Sequence, residues 1–171
     1  MGFSWPERYS AASRGGSAAS LPSVHKVRAA VPDEVERVLG MYEWLFAPPG
    51  SLPPAWDPER ARSAIAEAIS DAKSTVLVAE HRGELLGFCS AYIELNSVRY
   101  GVRCWVEDLA VSPQHRSEGV GKDLLDAAKD WARERGATHL ELDSGEARAD
   151  AHRFYDREAP AWRGYQYTWL L

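Results

Sequence analysis

Cysteine is nearly absent: the 171 residues hold only Cys89 and Cys104. Both fall inside β-rich runs, so they are expected to be reduced and buried, and no disulfide framework is expected. Neither has metal-ligand spacing to other residues, and no two of the five histidines lie i, i+4 on one helix, so no metal is expected. No apolar run approaches the ~20 residues of a membrane-spanning helix. The N-terminal stretch MGFSWPERYSAASRGGSAASLPS lacks the apolar block of a secretion signal. A cytoplasmic location with no membrane partner is the expectation. Positive charge is also short. Twenty Lys and Arg face 25 Asp and Glu, a formal net charge of -5. That balance argues weakly against a nucleic-acid partner and suits a cationic or amine ligand.

What is present fits one globular domain: 45% hydrophobic and 26% charged residues, with enough chain for a sizeable core. Residues 1–23 are rich in Ser, Ala and Gly and read as a flexible tail, with Phe3, Trp5 and Tyr9 as sticky points. Residues 24–171 read as a single domain. A first strand is expected over 25–31. Pro32 then opens a helix running to about Phe46, with Val35, Val38, Leu39, Tyr42 and Leu45 at the helical period. APPGSLPPAW, 47–56, excludes regular structure by its four prolines. Asp57 suits an N-cap and Pro58 the first turn of a second helix. STVLVAEHRGELLGFCSAYIEL reads as a hairpin around Arg82-Gly83-Glu84, and GVRCWVEDLAV, 101–111, as a further strand. A long helix follows over Val120–Arg135, capped by Gly136. THLELDS is a strand, RADAHRFYDRE a short helix, and YQYTWLL a last strand. The order implies a mixed sheet with helices on its faces, in the α/β or α+β range.

Glycines at a helix mouth let the backbone approach an anion closely, where unpaired N–H groups and the helix dipole favour negative charge. Arg116, Gly119, Gly121 and Lys122 stand at such a mouth, directly after a strand ending in Val111-Ser112-Pro113. A Walker loop fails, because its first glycine position holds Arg116 and the residue after Lys122 is Asp123. A dinucleotide fingerprint fails because its third glycine position holds Leu124. What fits is Arg116-x-x-Gly119-x-Gly121.

EDLAVSPQHRSEGVGKDLL resembles the acetyl-CoA-binding motif of the GCN5-related N-acetyltransferases, (Gln or Arg)-x-x-Gly-x-(Gly or Ala), between that family's fourth strand and third helix. The resemblance covers roughly residues 25–171 in element order. It implies a mixed, mostly antiparallel central sheet flanked by about four helices and splayed between strands 4 and 5. It implies that backbone N–H groups over Ser117, Glu118, Gly119, Val120, Gly121 and Lys122 hold the CoA pyrophosphate, with Arg116 adding charge. It also implies that Leu109, Ala110 and Val111 pair with the pantetheine arm as a strand edge would.

RADAHRFYDRE is similar to the family's later motif, Asn-x-x-Ala-x-x-Phe-Tyr. Ala151, Phe154 and Tyr155 match. Arg148 replaces the asparagine, which leaves a phosphate contact or solvent open for it. The following Gly-Phe is replaced by Ala159-Pro160. The resemblance implies that Tyr155 protonates the departing thiolate, a task that suits a phenol of pKa ~10.

The reaction so implied is direct attack of an amine on the acetyl thioester, without a covalent enzyme intermediate. The amine's proton would pass to Glu107 or Asp108, directly or through water. Strand alternation turns one of this pair to the cleft, and Glu107 is favoured because it shares parity with Leu109; a nearby bulge would upset that parity. The backbone N–H of Leu109 would face the oxyanion. Glu43, Trp44, Phe46, Trp56, Tyr92, Glu94 and Trp105 are candidates for the acceptor pocket, where aromatics and carboxylates suit a cation. The expected acceptor is a small amine: a polyamine, an aminoglycoside-like compound or an amino-acid derivative. A protein lysine or N-terminal amine, and a non-catalytic acyl-CoA-binding module, are the alternatives. A homodimer sealed by the apolar YQYTWLL tail is a further expectation.

Overall fold

A computed structural model of the chain describes residues 24–169, so the expected tail over 1–23 lies outside the described residues. The chain order is β1 (Lys26–Ala29), a 3-10 turn (Pro32–Glu34), α1 (Val35–Phe46), α2 (Pro58–Ser70), β2 (Ser74–His81), β3 (Glu84–Ser97) and β4 (Gly101–Val111). A second 3-10 turn (Pro113–His115), α3 (Val120–Glu134), β5 (His139–Glu141) and α4 (Ala149–Arg157) follow.

The five strands form one sheet in the order β1-β2-β3-β4-β5. The first four pair antiparallel and β4 pairs β5 in parallel. β2 is an almost unbroken apolar run because both its faces are covered. Leu77 and Ala79 point to α3, where Val120, Leu124, Ala128 and Ala132 close one core. Val76 and Val78, with Phe88 of β3, point to α1 and α2, where Val38, Met41 and Ile65 close the other.

Local chemistry sets the ends of the helices. Asp57 Oδ1 accepts from Glu59 N at 2.9 Å and Arg60 N at 3.3 Å, and Pro58 opens α2. α3 ends in a Schellman pair, Ala137 N to Ala132 O at 3.0 Å and Gly136 N to Arg133 O at 3.0 Å. β1 is tied to the start of α1 by Arg28, which grips both oxygens of the buried Glu34 at 2.8 Å and holds that carboxyl down at about 2. His25 stands directly before β1. Its side chain is covered, and Nε2 lies 2.9 Å from Asp123 in the first turn of α3.

Among the described residues the last strand does not form. Residues 162–169 carry no ladder, and Tyr165, Tyr167 and Trp169 are 93%, 74% and 77% exposed. Alternating aromatics make a strand only where an edge and a covering layer accept them. Here β5 offers an edge only three residues long.

Leu124 is wholly buried between α3 and the sheet. Leu124→Ala is expected to cost about 2–5 kcal/mol, read as a lower urea midpoint at unchanged slope. A change below ~1 kcal/mol would mean that α3 does not anchor this core.

Candidate functional site

β5 meets β4 only at Arg103↔His139, Cys104↔Leu140 and Trp105↔Glu141. Beyond that, β4 continues from Val106 to Val111 while the chain after Glu141 turns away toward α4. The two parallel strands therefore part, and β4 keeps an edge without a β5 partner over Glu107, Asp108, Leu109, Ala110 and Val111.

At the end of that edge lies the glycine-rich turn. Ser112 is buried and donates its N–H to Leu86 O at 2.8 Å, so the turn starts from a fixed point. Arg116, Ser117, Glu118 and Gly119 are exposed. Ser117 has φ 66°, and Gly119, the N-cap of α3, has φ 88°, a conformation that costs glycine little and other residues more. The first closed helical bond here runs from Asp123 N to Gly119 O at 3.0 Å. The N–H groups of Val120, Gly121 and Lys122 thus head the helix without intrahelical acceptors. A Cβ on Gly121 would meet Phe154 and Val111 at an ordinary 3.6 Å, so packing within the chain does not demand glycine there. Glu118 is turned aside to His115 Nδ1 at 3.0 Å, and Lys122 is paired with Asp126.

One extra residue in β4 decides where the carboxylates go. Ser90 faces Asp108 and Ala91 faces Val106, so Glu107 is an insertion in the ladder. Val106 packs under α3, and so do Leu109 and Val111 after the bulge, whereas Ala110 packs on the α1–α2 side. The parity that linked Glu107 to Leu109 is therefore broken. Asp108 turns toward α1, where Tyr42 Oη donates to its Oδ2 at 2.7 Å and Ser90 Oγ stands at 3.5 Å. Burial pushes the Asp108 carboxyl above its ordinary value; the Tyr42 and Ser90 hydrogen bonds and the Arg148 charge oppose this, and Asp143 adds to it. The same burial, with the Asp108 charge, pushes the Tyr42 phenol far up, so Tyr42 remains a donor. Glu107 is exposed, and its Oε2 accepts from Trp105 Nε1 at 3.0 Å. Surrounding protein and then Asp108, Asp143 and Glu94 raise its carboxyl, against the Trp105 bond.

α4 carries Tyr155, its ring 5.1 Å from Phe154. Burial first, then Cys89, pushes the phenol up to about 12, with Arg148 opposing and Asp143 adding. Arg148 caps α4 and donates from Nη2 to Leu45 O at 2.8 Å, so it points to the end of α1.

The expected pocket residues divide into two groups. Phe46 and Trp56 form an aromatic cluster with Tyr42, ring centroids 4.6–5.8 Å apart, and with Glu43 they line a hollow of about 310 Å³. Trp44 instead packs at the edge of the α1–α2 core. Tyr92 stands opposite Trp105 on the sheet floor. Arg103, paired with Glu94 and, at 3.1 Å, with Glu141, lies over the Trp105 ring. Sequence reasoning missed Tyr42, Ser90 and Arg103 as site residues. Tyr42 sat in the apolar stripe of α1, and its hydroxyl was the one signal that this stripe had a polar task.

The family model described as "Acetyltransferase (GNAT) family" matches residues 38–159. The chain is 38% identical over 89 residues to an uncharacterized N-acetyltransferase, YhdJ, of Bacillus subtilis, covering 52% of this chain and 63% of that one. It is 38% identical over 95 residues to the streptothricin acetyltransferase of Streptomyces lavendulae, covering 55% and 48%. Both alignments thus span less than two thirds of the relative's length. In fold it is similar to the aminoglycoside N-acetyltransferase AAC(6')-Iy solved in complex with CoA, with a TM-score of 0.74, 17% identity, and coverage of 86% of this chain and 94% of that one.

The raised Asp108 carboxyl has a consequence for stability. Between its ordinary value and its raised one, the folded state binds more protons than the unfolded state, so stability falls as pH rises through that window. Asp108→Asn removes that fall. Urea unfolding at pH 4 and pH 7 should show the variant gaining on the wild type as pH rises; an identical difference at both pH values would contradict the burial of Asp108.

Proposed function

The chain belongs to the acetyltransferase (GNAT) family, and on that premise we propose that it moves the acetyl group of acetyl-CoA to a primary amine of a small cationic molecule. The observation that supports the reading is the open edge of β4 running into the N–H-rich turn at its end, with Asp108 on that edge and Tyr155 on α4 both within the fields of Arg148 and Asp143.

The residues present fit CoA. An unpartnered strand edge offers ladder groups to a linear chain of amides, and the head of α3 offers N–H groups to a diphosphate. Ser117 through Lys122 supply those N–H groups, with Arg116 exposed beside them. Leu109, Ala110 and Val111 supply the edge. When bound, acetyl-CoA brings an activated acyl carbon and a thiolate leaving group.

The remaining tasks fall to the chain. Asp108 accepts the amine's proton, directly or through water; Tyr42 and Ser90 hold its carboxylate in place. Glu107 stands beside it at the more exposed rim and attracts the cationic amine or relays its proton. The N–H of Leu109 meets charge on the acyl oxygen. Tyr155, kept protonated by burial, supplies a proton to the leaving thiolate.

The acceptor class follows from the floor. Glu94, Glu107, Asp108, Glu141 and Asp143 surround Trp105 and Tyr92, with Arg103 as the counter-charge among them. Such a surface favours an acceptor with more than one amine, such as a polyamine or an aminoglycoside-like compound. The streptothricin acetyltransferase and aminoglycoside N-acetyltransferase likenesses support the same class.

Calorimetric titration of acetyl-CoA into the wild type and into Gly119→Glu should show micromolar binding that the variant loses. CoA release would then be followed with spermidine, kanamycin, amino-acid amides and a lysine peptide. Tyr155→Phe should slow turnover by roughly 10²-fold while leaving acetyl-CoA affinity unchanged. Absence of acetyl-CoA binding by the wild type would sink the reading; turnover of the peptide alone would move it to a protein acceptor.

A further inference from the structure

Arg148 occupies the position of the asparagine in the family motif, and its side chain crosses from α4 to the far wall of the cleft. Nη2 donates to the Leu45 carbonyl at 2.8 Å, 103 residues earlier in the chain. That carbonyl lies in the last turn of α1, where acceptors lack intrahelical donors and the helix dipole is negative. A guanidinium is therefore held there by charge as well as by the hydrogen bond.

The loop after α1 is shaped around this contact. A Cβ on Gly50 would lie 2.3 Å from Leu45 O and 2.5 Å from Arg148 Nη2, closer than real side chains come. Gly50 itself donates to Ala47 O at 2.8 Å, which curls the loop over the guanidinium. The Arg148 charge also acts on both Asp108 and Tyr155. It thus stands between the wall carrying Tyr42 and the wall carrying Tyr155.

We infer that Arg148 is a positioning residue that clasps α4 to the end of α1 and so fixes the acceptor side of the cleft. With the clasp shut, the 47–56 loop is held so that its Trp56 stays on Phe46 and Tyr42, and the two walls keep their separation. Arg148 then governs the amine, not CoA. Only the naming of the amine rests on the acetyltransferase reading; the clasp is a property of the free chain.

Three variants separate this role from a phosphate contact: Arg148→Ala, Arg148→Lys and Gly50→Ala. Gly50→Ala crowds both partners of the clasp while leaving the guanidinium charge in the chain. In the ligand-free protein, hydrogen exchange should speed up at least ~3-fold in both 43–50 and 145–152 for Arg148→Ala and Gly50→Ala. Acetyl-CoA affinity by calorimetry should stay within about twofold, while KM for spermidine or kanamycin rises ~10-fold or more and Arg148→Lys recovers part of the loss. A ~10-fold loss of acetyl-CoA affinity in Arg148→Ala, with Gly50→Ala unaffected, would assign Arg148 to the cofactor and overturn the proposal. Unchanged exchange in both segments would overturn it equally. If the wild type bound no acetyl-CoA, the activity reading would fall, and the exchange measurement would still decide the clasp.

Discussion

Between Ser90 and Ala91 the ladder of β3 against β4 takes in one surplus residue, Glu107, and the two halves of β4 face opposite ways as a result. A one-residue offset moves every later side chain to the other side of the sheet. Leu109 and Val111 thereby fall under α3 and lie beneath the helix whose head forms the glycine-rich turn. Asp108 falls on the side of α1, within reach of Tyr42. Without the insertion, Asp108 would follow Val106 toward α3 and enter an apolar core with no phenol to hold it. The same stretch of backbone thus anchors the anion-binding turn and aims a carboxylate into the cleft.

Much of this was legible in the sequence because it depends on neighbours in the chain. The Asp57-Pro58 start of α2, the Gly136 end of α3 and the limits of β4 each rest on a few adjacent residues. What was not legible depends on partners far away. The bulge exists only in the register of two strands, and Tyr42 meets Asp108 across 66 positions. Arg148 reaches Leu45 across 103. The supposed last strand failed for the same reason. Its alternation at Tyr165, Tyr167 and Trp169 was correct strand chemistry, but a strand is a property of a pair, and no edge received it.

The cleft then sets two titratable groups against each other. Burial raises both Asp108 and Tyr155, but with opposite results. For a phenol, a raised value merely deepens its protonated state and keeps a proton available. For a carboxylate, it threatens the ionised state that a base requires. The chain answers with donors placed on one side only: Tyr42 and Ser90 bond to Asp108, whereas the Tyr155 hydroxyl makes no hydrogen bond to any described residue. Arg148 favours the charged form of both, and because its head is fixed on Leu45, its field acts from a set place. A carboxylate supplied with donors facing a phenol left without them is the asymmetry that moving a proton from amine to thiolate demands.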